Sequence, residues 1–178
     1  HVFNKSCAYK YGIKNRLSEV LSEAFWPGPL TMVFQRIEDC SISHLASAGL
    51  NSIALRVPEN EMFLKLLLKF KKPIAAPSAN RSGNVSPTLA QHVQDEFDQE
   101  VPLILDGGAT KNGIESTVID IRRKNPILLR SGPITKEMIE KVTDLKVLYP
   151  QNNNTLESPG QLLNHYSPKA NLIINSIN

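Results

Sequence analysis

Short apolar segments that end at proline, glycine or charged residues recur along the chain and alternate irregularly with amphipathic stretches. Their Val, Ile and Leu content predicts β-strands at 30–35, 51–57, 73–76, 103–105, 117–121 and 146–148. Helical spacing of apolar residues and capping signals predict helices that begin near residues 15–18, 59, 87 and 135. Because the order has no regular strand–helix–strand period, the sequence predicts an α+β or irregular α/β fold.

The composition is that of one globular domain, with 178 residues of which 41% are hydrophobic and 21% are charged. The longest apolar stretch, 62–70, is interrupted by two lysines and is too short to cross a bilayer, so we expect no membrane association. Two cysteines without a CxxC motif predict reduced thiols and a cytoplasmic location. The four histidines lie in no ligand motif, so no protein-held metal is predicted.

Polar side chains cluster after the apolar run 74–76, in the stretch PSANRSGNVSPT. Ser78, Asn80 and Ser86 precede Pro87, which is predicted to open a helix whose free N–H groups favour an anion. Arg56 and Arg130 stand at or just after predicted strands, and the net charge of +3 weakly favours anionic partners. A polyanion site and an ordinary capped turn with surface arginines both remain open from these residues alone.

Seven motifs in one order strengthen the ligand interpretation, and together they resemble the YrdC-domain family of threonylcarbamoyl-AMP synthases. The C-terminal motif resembles the two-domain members of that family. The motifs are Trp26-Pro27-Gly28-Pro29-Leu30-Thr31, Ala54-Leu55-Arg56-Val57-Pro58, Ala76-Pro77-Ser78-Ala79-Asn80 with Ser82-Gly83 and Ser86-Pro87-Thr88, Asp106-Gly107-Gly108, Glu115-Ser116-Thr117-Val118, Leu129-Arg130 with Gly132, and Ser158-Pro159-Gly160 with His165-Tyr166-Ser167-Pro168.

The resemblance implies a twisted mixed sheet with flanking helices and a large concave, positively charged face. It also implies a reaction in which L-threonine and bicarbonate give an N-carboxylated amino acid whose carboxylate attacks the α-phosphorus of ATP. The products are threonylcarbamoyl-AMP and pyrophosphate, and magnesium accompanies ATP. A downstream threonylcarbamoyl transferase complex then modifies tRNA.

The resemblance also implies roles for individual positions. Those expected at ATP are Ser52, Ser78, Asn80, Ser86, Arg130, His165 and Tyr166. Those expected at L-threonine are His1, Arg56, Ala76 and Ser116. Among these, Arg56 is expected to grip the amino acid's carboxylate with two parallel hydrogen bonds, and His165 with Tyr166 to lie on a linker that closes over the cavity.

Three segments are expected: a catalytic domain at 1–148, a closing linker at 149–169, and the first strand of a further domain at 170–178. The family's Lys-x-Arg element would precede His1. We therefore expect the catalytic domain to lack its N-terminal segment here, and the 178 residues alone to turn over poorly.

Two other functions share the features described so far. A YrdC-like carbamoyl-transfer maturation domain would have the same sheet and the same Ser-x-Asn loop. A non-catalytic module could bind double-stranded RNA or tRNA through phosphate contacts on a basic face.

Overall fold

The computed structural model describes residues 1–150, which form a four-stranded mixed sheet with helices around it. The strands are β1 (Leu30–Gln35), β2 (Ser52–Leu55), β3 (Thr117–Asp120) and β4 (Ile127–Arg130). The helices are α1 (Lys5–Ala8), α2 (Arg16–Phe25), α3 (Glu61–Phe70), α4 (Ala90–Phe97) and α5 (Lys136–Thr143). Short 3₁₀ turns lie at His44–Ser47 and Asp98–Glu100.

The strand order in the sheet is β2-β1-β3-β4. β1 runs parallel to β3 and antiparallel to β2, and β3 runs antiparallel to β4. Met32, Val33 and Phe34 of β1 are all buried, so this inner strand is covered on both faces, as strands of α/β sheets are. The mixed α/β class predicted from the sequence is confirmed.

Local capping explains why three of the predicted helices begin where they do. Asn15 and Ser18 form a reciprocal capping box at the start of α2, with hydrogen bonds of 2.8 and 3.0 Å between side chain and backbone. Asn60 accepts from the Phe63 N–H at 3.0 Å at the start of α3, and Thr135 caps α5 in the same way. Helix α2 then packs against α5 beside the sheet.

The core consists of apolar side chains from the strands, from α2 and α5, and from the segments that flank them. Its buried members are Val2, Ala8, Leu17, Leu21, Leu30, Met32, Phe34, Ile53, Leu55, Val57, Ile119, Ile121, Leu128, Ile134, Ile139 and Val147. Val2 belongs to this set, so the first residues of the chain are held against the sheet.

Three of the six predicted strands are wrong, and two of them lie between α3 and β3. The backbone of Ile74 exchanges hydrogen bonds with His1, at 2.7 and 3.1 Å, but within residues 1–150 no strand extends from this pair. Residues 103–105 also form no strand, and Leu103 and Leu105 are 71% and 53% exposed. An apolar run becomes a strand only where a neighbouring strand satisfies its backbone groups, and neither run has one among the described residues.

Other element boundaries also differ from the sequence prediction. The helix predicted to begin at Pro87 begins at Ala90. The segment 146–148 contributes a single parallel bridge, between Leu148 and Ile127 of β4, instead of a strand. Helix α1 was not predicted, and it is a single turn capped by Asn4.

A buried threonine ties the inner strand β3 to the segment that leads into α5. Thr117 is fully buried, and its hydroxyl donates to the carbonyl oxygen of Ile134 at 2.7 Å. The same hydroxyl accepts from the Ile134 N–H at 3.0 Å. Both backbone groups of Ile134 are therefore satisfied by one side chain, away from water.

We predict that Thr117→Val lowers the free energy of unfolding by about 2–3 kcal/mol, because two buried backbone groups lose their partner while the side-chain shape is kept. Chemical denaturation of both proteins measures this difference. Thr117→Ser is the matched control, since it keeps the hydroxyl and loses one methyl group, at about 1 kcal/mol. A valine variant as stable as the wild type would contradict the assignment.

Candidate functional site

The pairing of the four strands brings four separate parts of the chain to one edge of the sheet. In the register of β1 with its neighbours, Leu30 lies beside Thr117 and Met32 beside Leu55. Arg130, the last residue of β4, lies beside Val118. Residues that begin β1 and β3 and residues that end β2 and β4 therefore share this edge, which we call the site edge.

Arg130 is fixed at the site edge by three groups. Its Nε donates to the carbonyl oxygen of Ser116 at 3.0 Å, and one terminal nitrogen donates to the Ser116 hydroxyl at 3.1 Å. The other terminal nitrogen is ion-paired with Glu115. A register shift between Val118 and Ile119 lies next to Arg130, as bulges often do beside functional residues.

Ser116 is buried and connects β3 to β1 through its side chain. Its hydroxyl lies 2.8 Å from the hydroxyl of Thr31. The chain can approach this point because position 132 is glycine: a Cβ there would lie 2.4 Å from the Thr117 nitrogen and 2.5 Å from the Glu115 carbonyl oxygen. Gly132 thus permits the close backbone approach that puts Arg130 and Ser116 in contact.

Arg56 is the second cation of the site edge, directly after β2. Its Nε donates to the carbonyl oxygen of Gly28 at 2.9 Å, and within residues 1–150 it has no ion-pair partner. Burial lowers the pKa of Arg56, Glu59 acts in the opposite direction, and the charge of Arg130 lowers it further. The two guanidinium groups therefore influence one another, although an arginine stays protonated at neutral pH.

The N-terminal residues lie between Arg56 and the segment that leads to Ala76. The Val2 N–H donates to the carbonyl oxygen of Arg56 at 2.9 Å, and His1 pairs with Ile74 as described above. The His1 ring packs edge-on against Phe63, with ring centroids 5.2 Å apart. The structure thus places His1 and the chain entering Ala76 close to the backbone of Arg56.

Residues 77–88, which we call the polar loop, contact the site edge through Ser86. The Ser86 hydroxyl donates to a carboxylate oxygen of Glu115 at 2.8 Å. Within the loop, the Asn80 amide nitrogen donates to the carbonyl oxygens of Arg81 and Asn84, at 2.9 and 3.0 Å. The amide oxygen of Asn80 is buried and has no hydrogen-bond partner in the described part of the chain.

Helix α4 does not begin at Pro87, so the predicted helix start beside the polar loop is wrong. The carbonyl oxygen of Thr88 accepts from the Thr110 N–H at 3.0 Å, so a neighbouring loop holds this segment outside the helix. Helix α4 begins at Ala90, three residues after Pro87, with Leu89 as its N-cap and no side chain that caps it.

Several predicted residues do not join the group at the site edge. Ser52 is buried at the opposite end of β2, beside Gln35, about 10 Å along the strand from Leu55. Ser78 is exposed. His165 and Tyr166 lie outside the described residues.

Thr31 and Glu115 contact predicted site residues, but the sequence analysis assigned no role to either of them. Both stand inside motifs quoted for the resemblance, and Glu115 directly precedes the predicted Ser116. Position within a motif was the only available signal, because their partners Ser116, Ser86 and Arg130 are brought to them by the fold.

Residues 1–150 contain neither a metal-binding cluster of side chains nor a membrane-spanning helix. No group of three or more His, Cys, Asp or Glu side chains is arranged to hold a metal ion in that range. No helix there is both long and apolar enough to span a bilayer.

Comparison with known proteins places these observations in a family. The family model Sua5_yciO_yrdC, described as "Telomere recombination", matches residues 3–132. A second model, described as "Threonylcarbamoyl-AMP synthase, C-terminal domain", matches residues 134–177. The predicted domain bounds at 148 and 169 stay a prediction.

Individual relatives agree with the family models. The chain is 42% identical to the threonylcarbamoyl-AMP synthase of Pyrococcus abyssi and 43% identical to that of Bacillus subtilis, in both cases over 161 residues and 88% of this chain. These matches cover 47% and 46% of the relatives, so the chain spans about half their length. A crystal structure of P. abyssi Sua5 complexed with L-threonine superimposes with a TM-score of 0.86 at 39% identity, covering 96% of this chain and 51% of that one.

The ordered motifs, the mixed sheet and the matched family model agree with one another. The resemblance stated from the sequence is confirmed, and the chain belongs to the Sua5–YciO–YrdC family.

Proposed function

We propose that the protein makes threonylcarbamoyl-AMP from L-threonine, bicarbonate and ATP, with release of pyrophosphate. The observation that carries this proposal is the placement of Arg56 and Arg130 at the same edge of the sheet as the hydroxyls of Thr31 and Ser116. The names of the relatives, and the L-threonine bound in the P. abyssi structure, support the same function.

Arg56 is suited to bind the carboxylate of L-threonine. Its Nε is engaged by Gly28, which orients the guanidinium and leaves the two terminal nitrogens for a ligand. A guanidinium in a fixed orientation can donate two parallel hydrogen bonds to a carboxylate. His1 and the backbone near Ala76 lie close to the Arg56 backbone and are assigned to the same ligand.

Arg130 and the polar loop are suited to the nucleotide. Arg130 presents a fixed positive charge, and Ser86, Asn80 and Ser78 belong to the loop beside it. The buried amide oxygen of Asn80 is an acceptor that a hydroxyl or amino group of a nucleotide could satisfy. Ser52 is the weakest of the ATP assignments, because it lies at the other end of β2.

The reaction needs no nucleophile from the protein. The amine of L-threonine takes up bicarbonate with loss of water, and an oxygen of the resulting N-carboxylate attacks the α-phosphorus of ATP. The bond from that phosphorus to the pyrophosphate oxygen then breaks. Arg56 and Arg130 orient the two substrates and offset their negative charge, which is the main demand of phosphorus transfer.

In this proposal magnesium enters the site bound to ATP. Residues 1–150 contain no cluster able to hold a metal ion, and magnesium in nucleotide sites is bound largely by the phosphates.

Bicarbonate, tRNA or double-stranded RNA, and a downstream transferase complex are supported by the family resemblance alone. The cytoplasmic location has the same basis, together with the cysteine usage. They remain parts of the proposal that separate experiments must address.

We predict that the full-length protein releases pyrophosphate only when L-threonine, bicarbonate and ATP are all present. A coupled pyrophosphate assay with each substrate omitted in turn measures this. L-Valine is the matched substrate control, because it has the shape of threonine without the hydroxyl, and hydroxyl-binding sites reject such analogues strongly. Release without an amino acid, or equal release with valine, would count against the proposal.

We predict that Arg56→Lys raises the KM for L-threonine about tenfold or more and changes the KM for ATP much less. Lysine keeps the charge but cannot form two parallel hydrogen bonds while donating to Gly28. Steady-state kinetics with each substrate varied separately gives both values. Arg123→Lys is the matched control, since Arg123 is exposed in the turn between β3 and β4, at the opposite end of the sheet from Arg130. If the ATP dependence changed instead, Arg56 would belong to the nucleotide.

A further inference from the structure

A continuous path of hydrogen bonds joins the polar loop to the sheet through Glu115. Ser86 donates to one carboxylate oxygen of Glu115 at 2.8 Å, and Arg130 is ion-paired with the other. Arg130 then donates to Ser116, whose hydroxyl is 2.8 Å from that of Thr31. Glu115 is the single acidic side chain on this path.

The proposed function leaves Glu115 without a role, although it touches two groups assigned to the nucleotide. The side chains of Glu115 and Arg130 are each 17% exposed, so water screens their attraction only partly. A phosphate that approaches Arg130 meets a carboxylate already bound to the same guanidinium. Two anions so close together repel one another in a partly buried site.

The contacts of Arg130 show how a phosphate could replace the carboxylate without disturbing the site. Nε and one terminal nitrogen are held by the carbonyl oxygen and hydroxyl of Ser116, independently of Glu115. Only the remaining terminal nitrogen donates to the carboxylate. The guanidinium therefore keeps its orientation when that one partner changes.

We propose that the carboxylate of Glu115 occupies part of the nucleotide site in the absence of ligand. When the ligand binds, its phosphates displace this carboxylate from Arg130 and Ser86. This inference rests on the proposed function and adds to it a specificity-determining residue. A ligand with several phosphate charges outcompetes the carboxylate, whereas a singly charged anion gains little from the exchange. Glu115 thereby selects polyanionic ligands over singly charged ones.

A neighbouring charge gives the carboxylate a second effect. The strand register places Arg56 and Arg130 at the same edge of the sheet, and the charge of Arg130 lowers the pKa of Arg56. Glu115 neutralises one member of this pair. The same carboxylate therefore reduces repulsion at the site edge and lowers its attraction for anions that arrive there.

The test is Glu115→Gln in the full-length protein, which removes the charge and keeps the side-chain length. Isothermal titration with ATP plus magnesium, with inorganic pyrophosphate and with L-threonine measures the three affinities separately. We expect ATP and pyrophosphate to bind roughly tenfold more tightly, about the effect of one charge contact in a partly buried site. L-Threonine affinity is expected to stay near that of the wild type.

Two further variants complete the experiment. Glu23→Gln removes one charge from an exposed ion pair with Lys5 and is expected to behave as the wild type. Glu115→Asp keeps the charge on a side chain one methylene shorter, which cannot reach Ser86 and Arg130 together, and is expected to give an intermediate affinity. Its ligand affinities also test the inference if the glutamine variant folds poorly.

The outcomes separate this inference from the proposed function. Unchanged or weaker binding of ATP and pyrophosphate by Glu115→Gln would overturn the inference, because Glu115 would then only brace Arg130. Tighter pyrophosphate binding without ATP binding in any of the proteins would support the exchange at Arg130 and reject the nucleotide function. Tighter binding of both anions supports the two together.

Discussion

The parallel pairing of β1 with β3 is the constraint on which the candidate site depends. It aligns the first residues of both strands, and the antiparallel neighbours bring Arg56 and Arg130 to the same edge. Buried Thr117 and the close packing at Gly132 hold the start of β3 against the segment after β4. A change of one residue in this register would turn Thr31 away from Ser116, because successive side chains of a strand point to opposite faces.

The site edge combines two like charges with fixed hydrogen-bond partners. Arg130 is held by Ser116 and Glu115, whereas Arg56 is held by the carbonyl oxygen of Gly28. Cations that are already oriented need no rearrangement when negative charge develops on a substrate, and such preorganised electrostatics is a large part of catalysis. An arrangement of this kind suits a reaction between two anionic substrates.

The segment between α3 and β3, residues 71–116, is attached to the rest of the fold mainly by polar contacts, unlike the strands of the sheet. Strands predicted at 73–76 and 103–105 are absent among the described residues, and helix α4 has no buried residue. Its loop is connected to the sheet edge through Ser86 and Glu115 instead of through a shared apolar core. Segments joined mainly by polar contacts open more easily than core elements, so movement during ligand binding is expected first in this segment.

The sequence by itself determined the elements whose signals are local. Asn15 and Thr135 mark helix starts, and the apolar run of β1 marks a strand, because capping and apolar periodicity act over a few residues. It also singled out Arg56, Ser116 and Arg130 as candidate site residues. Only the tertiary structure decided that these three lie at one edge of the sheet, that Ser52 lies at the other end of β2, and that Glu115 is bound to Arg130. Those relations depend on pairing between residues far apart in the chain, which no local pattern encodes.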